Sequence, residues 1–113
     1  MRVAIPVWID RISPVLDVAR ELLVVNIEWK RVSDRKTLVI EGSRLSEIAV
    51  LLNKYDVDIV LCGALSDVLL NMLRRHGIKV QSWLTGTIED ILEAFISGRL
   101  KDPRFKMPGG TDK

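Results

Sequence analysis

Asp58-Ile59-Val60-Leu61-Cys62-Gly63-Ala64-Leu65-Ser66 is the stretch that decides the fold. A short apolar run that stops at a glycine is the pattern of a strand buried on both faces in a parallel sheet. Ser66 then caps a helix. Its apolar positions are Leu69, Leu70, Met72 and Leu73, and it stops at Gly77 after the cations Arg74 and Arg75. Ile78-Lys79-Val80-Gln81 is the next strand. Strand, helix and strand in so short a space make a right-handed crossover in a helix-covered sheet.

The pattern extends in both directions. Downstream, Thr87 and Asp90 have capping-box spacing, Ile88, Ile91, Leu92 and Phe95 form a buried stripe, and Gly98 ends the helix. Upstream, Ile48, Leu51, Leu52 and Tyr55 predict a helix with Ser43 as its cap and Glu47 in its first turns. Before it come three strands, at residues 3–8, 22–30 and 36–41, with a turn at Val32-Ser33-Asp34. Pro6 in the first strand warns of irregular pairing near its end. The order βββαβαβα predicts a three-layer, ribonuclease H-like α/β domain. Its five-stranded mixed sheet would run 3-2-1-4-5, with strand 2 antiparallel and helices on both faces. One domain is expected over residues 1–98. Residues 99–113, with two prolines and two glycines among charges, read as a frayed tail.

Composition excludes several classes of function. The 113 residues are 48% hydrophobic and 28% charged, enough for a buried core without staples. A net charge of +2 gives no nucleic-acid footprint. Cys62 is the only cysteine, so neither an intrachain disulfide nor a multi-cysteine zinc site can form in one chain. No apolar run reaches the length of a membrane span and no leader pattern opens the chain, so the cytoplasm is the expected location.

In an open α/β sheet, ligands sit beyond the carboxyl ends of the strands. Three loops build that edge here: residues 9–20, 62–66 and 82–86. The second is the most informative. Gly63 and Ala64 leave the backbone open to close approach, and the helix after Ser66 aims its free N–H groups and positive dipole end at the same space. That suits a small anion or an anionic cluster; it also describes an ordinary capped turn. A thiol near a helix N-terminus, as at Cys62, can be a metal ligand or a nucleophile, although inert buried cysteines are commoner. Trp8 and Trp83 fall at strand ends, where they either flank a cleft or cap the core. His76, the only histidine, sits at a helix C-terminus, a favourable place for a cation.

Catalysis is not expected. Two-metal nuclease chemistry needs converging carboxylates, and Asp10, Asp17, Glu47, Asp58 and Asp67 make no such set. Hydrolase chemistry needs a base beside its nucleophile. His76 is separated from Cys62 by a helix, roughly 15 Å at 1.5 Å per residue.

Several motifs carry a further reading. They are Met1-Arg2-Val3-Ala4-Ile5-Pro6, Ile12-Ser13-Pro14-Val15-Leu16-Asp17-Val18-Ala19-Arg20, the run Cys62 to Ser66, His76-Gly77-Ile78-Lys79-Val80, Thr85-Gly86-Thr87, Ala94-Phe95-Ile96-Ser97-Gly98 and Phe105-Lys106-Met107-Pro108-Gly109. In order and spacing they resemble the nitrogenase iron–molybdenum cofactor accessory family, the NifX-like proteins and the C-terminal domain of NifB. The resemblance implies a non-enzymatic accessory or carrier protein that binds iron–molybdenum or iron–sulfur clusters during cofactor assembly, as a monomer or homodimer, with cofactor-assembly proteins as partners. It points to Arg11, Ser13, Asp17, Cys62, Gly63, Ala64, Ser66 and Gly86 as the binding edge, with Cys62 as the metal ligand. The chain departs from the pattern in two places. Val15-Leu16-Asp17 stand where cluster-binding members have His-Phe-Gly, and Gly110 stands where many have a cysteine. The alternative is an interaction or regulatory module that keeps the fold and binds no metal.

Overall fold

The computed structural model describes residues 1–108, so Gly109 and Gly110 lie outside the described residues. The strands are β1 (Arg2–Trp8), β2 (Arg11–Ile12), β3 (Glu21–Glu28), β4 (Arg31–Val39), β5 (Ile59–Leu61) and β6 (Lys79–Gln81). The helices are α1 (Leu45–Lys54), α2 (Asp67–Arg75) and α3 (Ile88–Ile96). They form a mixed α/β fold around one six-stranded sheet. Its path runs β4-β3-β1-β5-β6, and β2 pairs with β1 off that path. β1 is antiparallel to β3 and parallel to β5, and β5 is parallel to β6.

The sixth strand comes from the stretch expected to be a loop. After Trp8 the chain reverses through Ile9 and Asp10, and Arg11 and Ile12 pair back onto Trp8 and Val7. This also explains how a central strand holds Pro6. Met1 and Ile27 exchange backbone hydrogen bonds, so the odd residues of β1 face β3 and the even ones face β5. β5 pairs only as far as Ala4. At Pro6 that side is free of β5, so the missing N–H breaks no ladder bond. The Pro6 carbonyl instead accepts from the backbone N–H of Ser13 at 2.8 Å.

The β3–β4 connection also departs from expectation. The turn is not at residues 32–34 but at Trp29 and Lys30, with φ of 53° and 60°. Two consecutive left-handed residues are the signature of a tight hairpin turn whose twist matches its strands. Ser33 is instead the extra residue where the register slips between Asn26 and Ile27. Its hydroxyl donates to the Asn26 carbonyl at 3.2 Å and accepts from the Asn26 side chain at 3.0 Å. The polar residues that suggested a turn thus serve a bulge.

Two cores flank the sheet. Ala4, Leu22, Val24 and Val60 face α1 and α2, through Ile48, Leu52, Leu69 and Leu73. Val3, Ile5, Leu23, Val25 and Leu61 face α3, through Ile88, Ile91 and Leu92. Helix starts are set locally. Ser66 Oγ accepts from the N–H of Leu69 and Thr87 Oγ1 from that of Asp90, each at 3.2 Å. α1 begins one residue later than its expected cap. Arg44 holds the cap position, and the Glu47 carboxylate accepts from its N–H at 2.9 Å.

The segment after Gly98 is docked rather than frayed. Leu100 and Phe105 are buried in the α3-side core. Thr85 donates its N–H to the Phe105 carbonyl and Met107 donates to the Trp83 carbonyl, both at 2.8 Å. Two apolar side chains in a charged, proline-containing stretch are enough to anchor it.

Candidate functional site

The three loops meet at one end of the sheet and are sewn together by backbone hydrogen bonds. Ala64 donates to the Pro14 carbonyl at 2.8 Å and Leu16 donates to the Ala64 carbonyl at 2.9 Å, so the first loop lies alongside the second. A side chain at Gly63 would place its Cβ 2.5 Å from the Pro14 carbonyl oxygen. Only glycine permits that approach. From the third loop, Trp83 donates to the Gly63 carbonyl at 2.8 Å and Leu84 to the Cys62 carbonyl at 3.0 Å. Ile12 donates to the Gly86 carbonyl at 3.0 Å, which joins the first loop to the third.

The helix N-terminus expected to face an anion does face one, and it belongs to the chain. Asp17 lies in a short 3₁₀ turn, Leu16–Val18. Its Oδ1 accepts from the backbone N–H of Ser66 at 2.9 Å. Asp67 adds a second carboxylate in the first turn of α2. Two acidic side chains at the positive end of the helix dipole satisfy it and oppose a further anion.

Cys62 is fully buried at the end of β5. Burial, and then the nearby Asp17 charge, push its thiol up to about 12. At neutral pH it stays protonated, which removes it as a nucleophile and makes it a poor ligand. Ser13 is also buried. Arg11 is exposed, and its residue bridges to Thr87. His76 caps the far end of α2 from Ser66. Trp8 and Trp83 are 57% and 39% exposed, and neither belongs to the two buried clusters. Among the described residues, no three His, Cys, Asp or Glu side chains gather as a metal would need.

The structure brings Ser13, Asp17, Cys62, Gly63, Ala64, Ser66 and Gly86 to one edge. Asp17 and the α2 N-terminus are separate candidates in the sequence, and in the fold one fills the other. Nothing in a single sequence signals that pairing, because it depends on the register between two loops 49 residues apart.

The family model for dinitrogenase iron–molybdenum cofactor proteins matches residues 1–98. The chain belongs to that family. No curated protein matches the chain in sequence. Solved structures share its fold. The protein PH0822 is 24% identical over 96% of each chain, with a TM-score of 0.84. The apo form of the orange protein from Desulfovibrio gigas is 21% identical, covering 99% of this chain and 96% of its own, with a TM-score of 0.75. A candidate NifB protein from Thermotoga is 19% identical, covering 96% and 98%, with a TM-score of 0.73.

Iron-containing clusters are held by thiolates and imidazoles. At the edge of this family member, Cys62 is enclosed and protonated, Val15 offers no donor, and Asp17 is committed to Ser66. The donor set does not fit a resident cluster.

Proposed function

We propose that this chain is a non-enzymatic accessory protein of iron–molybdenum cofactor assembly that works in the cytoplasm through contacts with assembly proteins and holds no cluster of its own. The carrying observation is the Asp17 carboxylate on the Ser66 N–H. It fills the place that an anionic ligand would take. In this reading Arg11, Ser13, Gly63, Ala64, Ser66 and Gly86 form a rigid, closed loop edge, and Cys62 is part of the core beneath it. We also read the sheet, with α1 and α2 on one face and α3 on the other, as ribonuclease H-like.

The test is anaerobic reconstitution with ferrous iron and sulfide, and separately with isolated iron–molybdenum cofactor, followed by desalting and metal analysis. The wild-type chain is expected to retain no stoichiometric metal. The variant Val15→His/Asp17→Gly restores the residues of cluster-binding members at those places and is expected to retain more. Stoichiometric iron or molybdenum on the wild-type chain, lost on Cys62→Ala, overturns the reading.

A further inference from the structure

We infer that the outer edge of β6 is a docking strip for an extended, acidic segment of a partner protein. This rests on the reading above and names the surface and chemistry of the contact.

Among the described residues β6 is an edge strand, paired only with β5. Its register pairs Ile59 with Lys79 and Leu61 with Gln81, Lys79 donates to the Asp58 carbonyl, and the Gln81 carbonyl accepts from Cys62. Lys79 and Gln81 therefore turn their backbone groups inward, and by the alternation of a parallel ladder the N–H and C=O of Val80 turn outward. Two shallow grooves run along this outer side. Both are lined by Arg74, Val80 and Gln81, so they join into one strip from Gly77 to Trp83. The extended part is Lys79–Gln81, with the positive-φ residues Gly77 and Trp83 on either side, so a partner strand would pair at Val80 and lie along the grooves beyond it.

The charges select the occupant. Arg74, Lys79 and Lys101 line the strip, and among the described residues Asp102 is the one carboxylate that does. The Asp102 side chain is already engaged, accepting from the Arg104 N–H at 3.0 Å. A second copy of this chain pairing through the same edge would set these cations against themselves. A strand carrying carboxylates would meet them favourably while its backbone pairs with Val80. The other sheet edge, β4, is interrupted by the bulge at Ser33, and its Arg35 is already paired with Glu89 at 2.7 Å.

The experiment titrates the isotope-labelled chain with a capped hexapeptide alternating valine and glutamate, beside its glutamine counterpart, at low and high salt. Saturable amide shifts centred on Val80 and Ser82, weaker in salt and with the glutamine peptide, are expected. Val80→Pro removes only an outward N–H and should abolish binding. If that variant fails to fold, Lys79→Glu/Lys101→Glu carries the test, with an expected loss of about tenfold or more. The proposal is overturned by no binding, by equal binding of both peptides, by undiminished binding to folded Val80→Pro, or by self-association of the chain through this edge. Each of these leaves the metal-reconstitution result untouched, so the strip and the closed edge fail separately.

Discussion

Asp17 Oδ1 accepts the backbone N–H of Ser66 at 2.9 Å, and through that bond the first loop caps the second helix. A charged acceptor on a partly buried N–H contributes more than a neutral one. Asp17→Ala is therefore expected to cost about 1–2 kcal/mol in urea unfolding, and Asp17→Asn about half as much, because the amide oxygen still accepts but its charge no longer meets the helix dipole. An Asp17→Ala protein as stable as the wild type would show that the carboxylate does not hold the loop edge.

Much of the architecture was legible because local chemistry and tertiary structure agree. Ser66 and Thr87 cap the helices that their spacing predicts, and the apolar run ending at Cys62 is a buried strand. The failures have physical causes. Ser33 and Asp34 have turn composition, but the hairpin turns at Trp29 and Lys30, residues that rarely take positive φ. β2 is two residues long and leaves no periodicity to read. At the site, the three loops named from the sequence meet at one edge, but the bond from the Ser66 N–H to Asp17 could not be read from the sequence. A helix N-terminus looks the same in sequence whether a ligand or a distant carboxylate satisfies it.

Gly63 sets how closely the first two loops pack. A methyl group there would lie 2.5 Å from the Pro14 oxygen and 3.1 Å from that of Ser13, and backbone cannot swing aside as a side chain can. Gly63→Ala is expected to cost about 1–3 kcal/mol, the usual range for overpacking. It should also speed hydrogen exchange at Ala64 and Leu16, whose amides tie the loops. Wild-type stability with unchanged exchange would show that the loops part without penalty.

The buried thiol predicts an alkaline signature. Cys62 titrates at about 12 when folded, against roughly 8.5 for a free cysteine. Above roughly 8.5 the unfolded chain therefore releases this proton while the folded chain keeps it. The contribution to stability is complete below that pH and is lost as pH rises towards 12, by at most about 1.4 kcal/mol per unit. Unfolding at pH 7 and pH 10 should show a steeper loss for the wild type than for Cys62→Ala, and a thiol reagent should label the native chain only as fast as it opens. Rapid labelling at neutral pH would place the thiol in contact with solvent.

The docking of residues 99–107 can be tested through Phe105. Phe105 is 3% exposed and shares a core with Leu84, Ile88, Ile91 and Leu100. Phe105→Ala removes that anchor and is expected to cost about 3–5 kcal/mol. The loss should be local in character as well as global. The amides of Thr85 and Met107, which bind the Phe105 and Trp83 carbonyls, should lose protection before the β1–β3 ladder does. That order follows from topology, since the segment contributes no strand to the sheet and can detach without breaking one of its strand pairs. If all these amides instead exchange together, the segment unfolds only with the whole domain and is as much a part of its core as α3.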